Sequence, residues 1–129
     1  MNSSLSVSGI IGIIIWTTNI ELLVDFYSSV FDIKPHRISE NFVAFKFGNT
    51  RLNIGYHEQV QGRAKDPYRI MFNLGTDNIH ELAISMVTKG VKFMRMPEPE
   101  TWGGYVATFK DPEDNIIQLL QAPTTSDFD

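Results

Sequence analysis

The side chains able to do chemistry in this sequence form a short and selective set. Cysteine is absent, which excludes disulfides, thiolate nucleophiles, and cysteine-ligated zinc or iron–sulfur centres together. The three histidines, His36, His57 and His80, are scattered, and each reads as an exposed or edge imidazole. Serines crowd the first eight residues and the first helical stretch, where capping and solvation account for them. No serine, histidine and acid are spaced as a nucleophile with its base. Glu98 and Glu100 flank Pro99 beside Trp102 and read as solvated loop carboxylates. What remains is cationic, amide and aromatic. Lys46, Arg51 and Arg69 accompany the amides Asn53, Asn73 and Gln118, with flat faces available at Trp16, Trp102 and Tyr105. Guanidinium groups suit carboxylates, which they grip with two parallel hydrogen bonds.

Positioning such groups takes regular elements, and the pattern supplies them twice. Residues 10–16 are β-branched and apolar and read as a buried strand. Thr18 and Glu21 fit a capping box at a helix start. Leu23, Phe26, Tyr27, Val30 and Phe31 then recur at i, i+3, i+4, i+7, i+8, one face of a helix over residues 19–31. Asp32 and the Lys34-Pro35 step end it. Strands are expected at 36–40, 42–47 and 51–56, with Gly48-Asn49 as a hairpin turn. A polar loop runs over 58–67, and the pattern restarts with a strand at 68–74. Ile79, Leu82, Ala83, Met86 and Val87 repeat the helical face over residues 78–89, stopped by Gly90. Strands at 91–96, 102–110 and 115–121 complete the second round. The order is βαβββ twice. One domain over 9–122 is therefore expected, with module one at about 9–57, module two at 68–122, a leader at 1–8 and a polar tail at 123–129.

Composition narrows the function classes. At 129 residues and 14.7 kDa the chain suits one core. The net charge is −4; Asp127 and Asp129 lie in the tail, so the body is close to neutral. That balance offers no footprint for nucleic acid or an anionic membrane. The longest apolar run is too short to span a bilayer. No Lys or Arg precedes Lys34, so a basic signal-peptide start is missing, and a cytoplasmic location is expected.

Two stretches resemble a known family. Ile13-Ile14-Ile15-Trp16-Thr17-Thr18-Asn19, running on to Asp25-Phe26-Tyr27-Ser28-Ser29-Val30-Phe31, resembles the strand–helix opening of the vicinal oxygen chelate superfamily. This group includes glyoxalase I, bleomycin-resistance proteins and extradiol dioxygenases. Trp102-Gly103-Gly104 followed by Asp111-Pro112-Glu113-Asp114-Asn115 resembles its late turn, with Asp114 where glycine is usual. Asp tolerates a positive φ better than most residues, so the turn is expected to form. The resemblance implies an α+β fold in which two βαβββ modules make an open, cup-like barrel with helices outside. Metal-dependent members place four ligands in the cup. Carried over by spacing, those positions fall on Gly12, Asn53, Arg69 and Gln118. None is an imidazole or a carboxylate, the donors a first-row divalent ion prefers. No metal and no cofactor are expected.

If Gly12 and Gln118 face the cup, strand alternation sends Ile14 and Trp16 there too. It adds Arg51 and Asn53; Arg69, Met71 and Asn73; Phe42, Ala44 and Lys46; and Ile116 and Leu120. Their neighbours, among them Ile70 and Phe72, belong to the core. The lining is then apolar with Lys46, Arg51, Arg69 and several amides, and has no acid. Two arrangements of the arginines are open: they grip an anionic ligand, or they snorkel outward to surface carboxylates. Trp102 and Tyr105 either stack on a ligand or, for Trp102, cover the barrel end. The reading that follows is a metal-free small-molecule binding protein for a small, partly apolar, carboxylate-bearing ligand, acting as a homodimer. Its alternatives are a glyoxalase- or dioxygenase-like enzyme with a non-standard metal site, and a regulatory or scaffold domain with a vestigial cup.

Overall fold

A computed structural model describes residues 5–123. The tail expected at 123–129 lies almost wholly outside the described residues, as do the first four residues of the leader. The order is β1 (Gly12–Thr17), α1 (Ile20–Phe31), β2 (Arg37–Ser39), β3 (Phe42–Phe47), β4 (Thr50–Tyr56), β5 (Phe72–Gly75), α2 (Ile79–Thr88), β6 (Phe93–Pro99), β7 (Tyr105–Lys110) and β8 (Ile116–Gln121). The α+β architecture is two four-stranded sheets, ordered β1-β4-β3-β2 and β5-β8-β7-β6. Each half has one parallel pair, β1 with β4 and β5 with β8. A parallel pair needs a long crossover, and the helix after the first strand of each half begins it.

Local chemistry departs from expectation at the helix starts. Asn19, not Thr18, caps α1, its side chain accepting from the Leu22 N–H, while the Thr17 hydroxyl accepts from the Asn19 N–H. Asn78 caps α2 without a side-chain bond. There the Ile79 N–H donates to the Gln121 side chain at 2.8 Å, a cap supplied from β8. Asp32 ends α1 at φ 51° and Asp114 turns at φ 64°, both in the left-handed region that aspartate tolerates.

The strand expected over 68–74 begins only at Phe72. Phe72 pairs with Ile117, which leaves β8 one residue, Ile116, before the preceding turn. Upstream, Asp66-Pro67 opens a turn in which the Arg69 N–H donates to the Asp66 carbonyl. Ile70, assigned to the core by alternation, is 85% exposed for the same reason.

Elsewhere the alternation holds in the middle of the strands and fails at their ends: Ile11 and Tyr56, neighbours assigned to the core, are exposed, and Ile116, assigned to the cup, is buried. Ile15, Leu52, Ile54, Val43 and Phe45 are buried on one face of the first sheet, and Ile117, Leu119, Ala107 and Phe109 on one face of the second. These faces share one core with Leu23, Tyr27 and Val30 of α1 and Ile79, Ala83 and Met86 of α2. The Phe31 ring lies 6.1 Å from Phe47 of β3 and 6.1 Å from Phe109 of β7. One helix therefore touches the apolar faces of both sheets. The sheets both pack against α1 and are not closed into a barrel.

A buried polar contact ties this arrangement. The Tyr27 hydroxyl donates to Asp111 at 2.8 Å, and neither residue has appreciable exposure. The Asp111 carboxylate also accepts from the Asn115 side chain and from the Glu113 and Asn115 backbone N–H groups. Burial raises the Asp111 pKa from its ordinary 3.8, against the pull of these four donors. Tyr27 is raised well above 10.0, by burial first and then by the Asp111 charge and hydrogen bond. Above pH 10 the unfolded tyrosine loses its proton while the folded one keeps it, so stability falls as pH rises. Tyr27→Phe is expected to cost about 1.5–3 kcal/mol in urea unfolding at neutral pH, the range for a hydrogen bond to a charged group. The variant should also lack the part of the alkaline decline that belongs to Tyr27. Equal slopes above pH 10 in the two proteins would contradict this account.

Candidate functional site

The register places the chemically capable residues in rows on the outer face of the first sheet. One row is Gly12, Arg51 and Lys46; the next is Ile14, Asn53, Ala44 and Arg37; the third is Trp16, Gly55, Phe42 and Ser39. Lys46 and Arg51 are exposed and sit directly opposite each other. Like charges so paired repel, and among the described residues neither has a carboxylate within ion-pair distance. They line a groove of about 480 Å³ with Gly12, Asn49 and Asn53.

Asn53 is half-buried, and its Oδ1 is out of solvent with no hydrogen-bond partner. A buried acceptor left unmatched costs about 1–3 kcal/mol. Gly12 keeps the approach to this amide open, because a Cβ there would stand 3.5 Å from Asn53 Nδ2 and 3.3 Å from the Arg51 carbonyl oxygen. At the other end, Trp16 lies across Gly55, where a Cβ would come within 2.6 Å of the indole. His57 meets the indole edge-on at 5.5 Å. The ring is held, yet Trp16 remains 43% exposed.

The outer face of the second sheet differs. Its matching row is Asn73, Gln118, Thr108 and Arg95. Gln118 donates to the Thr108 hydroxyl at 3.4 Å. Arg95 is neutralised by Glu98 at 2.9 Å and by Glu100, which also raise its pKa, Glu100 the more. Glu98 and Glu100 are thus bound to a cation, rather than merely solvated.

The residues expected in one lining are accordingly dispersed. Lys46, Arg51 and Asn53 come together. Asn73 lines a groove of about 420 Å³ together with Arg51. Gln118 stands beside Asn73 on the second sheet and lines none of the grooves that hold Lys46, Arg51 or Asn53. Met71 lies just before β5 and is partly exposed. Arg69 shares a groove with Trp16, but it stands outside β5 with its side chain 76% exposed and bonded to Asp66 at 2.9 Å. Tyr105 turns to the core side, edge-on to His80 at 4.9 Å, and does not line the polar face. Trp102 packs over Gly104, where a Cβ would collide with its ring, so it closes the start of β7. Arg37 was not foreseen: its strand is three residues long, and only the pairing with Ala44 shows which face it joins.

These positions do not suit a divalent metal. The helix caps Asn19 and Asn78 lie 59 positions apart, so the second-half equivalent of Gly12 is Met71, not Arg69. A set of glycine, two amides and a thioether lacks the imidazoles and carboxylates such an ion requires. Among the described residues no three His, Cys, Asp or Glu side chains gather as a metal site.

A sequence profile for the Glyoxalase/Bleomycin resistance protein/Dioxygenase superfamily matches residues 9–119. No curated protein is significantly similar in sequence. Among solved structures, a glyoxalase/bleomycin resistance protein/dioxygenase from Nocardioides superposes with TM-score 0.77 at 13% identity, over 95% of this chain and 89% of that one. A glyoxalase/bleomycin resistance protein/dioxygenase family enzyme from Burkholderia phytofirmans PsJN gives 0.70 at 19% identity, over 85% and 95%. A lactoylglutathione lyase from Agrobacterium tumefaciens gives 0.71 at 17% identity, over 90% and 95%. At these identities the likeness is one of fold.

The donor chemistry makes a direct prediction. Equilibrium dialysis of the purified chain against zinc, nickel, manganese or iron(II) should leave well below one equivalent bound. A stoichiometric ion of any of these would overturn the assignment of ligand positions.

Proposed function

The chain belongs to the glyoxalase/bleomycin resistance protein/dioxygenase superfamily, and we propose that it binds a small anionic, partly apolar ligand without a metal. The observation that carries this reading is the Lys46–Arg51 pair, two like charges set face to face with no carboxylate in ion-pair distance of either among the described residues. An anion between them removes the repulsion and takes hydrogen bonds from both. Asn53 stands beside the pair, and its Nδ2, the donor a carboxylate requires, orients the head group, while the buried Oδ1 acceptor takes no part. Arg69, expected to hold the anion, is replaced in that role by Arg51 and Lys46, because it stands outside β5 with its Nε bonded to Asp66. Net charge argues nothing against an anionic ligand, since a pocket selects by the few groups within it.

The sheet edges also support the proposed homodimer. Strands β1 and β5 are each hydrogen-bonded on one side only. Pairing two chains covers such edges. Sedimentation at tens of micromolar should give a dimer; a monomer there would remove this part of the proposal.

Ligand class is tested by thermal shift against carboxylates, phosphates and cationic drugs. A true ligand at a hundred times its Kd adds about 2.7 kcal/mol of stability. Carboxylates should stabilise the chain and cationic compounds should not. Arg51→Ala should weaken the best carboxylate about fivefold, roughly 1 kcal/mol, because solvent screens an exposed charge. Added salt should weaken it further. Stabilisation by cations alone would refute the reading.

A further inference from the structure

The outer face of the first sheet is graded along its strands. Lys46 and Arg51 stand at one end, and Trp16 with Phe42 at the other. Four residues separate the two rows on β1, β3 and β4 alike, which is about 13 Å at strand spacing. Between them the floor is Ile14 and Ala44, with the Asn53 amide as its central polar group. Two glycines shape this track: Gly12 leaves the charged end open, and Gly55 lets the indole lie flat across the sheet. His57 steadies the ring from its edge, so exposure of Trp16 does not come from a loose side chain.

We propose that this face takes an elongated amphipathic anion, its carboxylate between Lys46 and Arg51 and its flat apolar end on the Trp16 indole. The inference rests on the anion-binding reading above and adds the length and the far end of the ligand. A short anion fills only the charged row and leaves the indole in water. A ligand of matched length covers both, with an aliphatic spacer on Ile14 and Ala44. Aromatic contact adds to the area it removes from water.

Isothermal titration with 3-phenylpropanoate, 8-phenyloctanoate and the uncharged 8-phenyloctanamide separates the two claims. In the natural chain the long acid should bind about tenfold or more tighter than the short one. Trp16→Ala should abolish most of that gain while leaving the short acid's affinity unchanged. Arg51→Ala should weaken both acids alike. A readout that leaves Trp16 in place uses Trp102→Phe, in which the remaining indole's emission should shift to the blue with the long acid and not with the short one. Equal affinity for the two acids, both sensitive to Arg51→Ala, would overturn the length and indole claim and leave the anion reading standing. An amide as tight as the acid, or no binding of either acid, would overturn both. Loss of both acids in a folded Trp16→Ala would also count against the division of roles.

Discussion

The hydrogen bond from Tyr27 to Asp111 joins the first helix of one half to the turn between the last two strands of the other. It is buried, charge-assisted on the acceptor side, and surrounded by the rings of Phe26, Phe31 and Phe109. Asp111 has four donors to satisfy, two from side chains and two from backbone. A carboxylate so enclosed fixes the turn and the helix at once, since moving either strands a buried charge. The consequence is geometric. With α1 held to β7 and β3 together, the apolar faces of both sheets converge on it. Lys46, Arg51 and Asn53 then share the other face of the first sheet, and Gln118 and Thr108 the other face of the second.

Much of this was legible in the residues because burial alternates with period two in strands and with period 3.6 in helices. Val43, Phe45, Leu52 and Ile54 declared the inner face of the first sheet before any coordinates. Asp32 and Asp114 fell where a left-handed residue was needed. The failures have a common cause, which is dependence on a distant partner. Tyr68 to Met71 has the composition of a strand, but β8 runs out of residues to pair with it. Tyr105 alternates correctly along β7, yet its side was assigned to a ligand when His80 of α2 was waiting for it. Arg69 was placed by counting from an anchor across an irregular loop, where a two-residue error keeps the parity and changes the environment entirely. The direction in which the two sheets fold was not written in either half alone.

The distribution of acids explains why one face is positive in a chain of net negative charge. In the second half each arginine is answered locally. Arg63 has Asp114, Arg69 has Asp66, and Arg95 has Glu98 and Glu100. The first half carries Arg37, Lys46 and Arg51 without any such partner among the described residues. Exposed ion pairs contribute little stability, so the contrast concerns the surface potential more than the fold. A potential left uncancelled on one face attracts and orients an anion arriving from solution. The same sequence repeat thus yields one sheet whose arginine is ion-paired and one whose arginines are not.

The two tryptophans carry that contrast to the level of single residues. Both lie over glycine, Trp16 on Gly55 and Trp102 on Gly104, and a side chain at either glycine would displace the ring. Trp102 folds back beside its own chain two residues on, where it closes the entry to β7. Trp16 reaches across to a neighbouring strand and lies along the sheet, so its free face continues the surface that begins at Arg51. A glycine opposite an aromatic residue weakens a strand unless the ring covers it. That cost is met in the same way at both places. Only at Gly55 does the covering ring also extend a row of unpaired cations and an unpartnered amide, and the proposed ligand surface rests on that alignment along one strand.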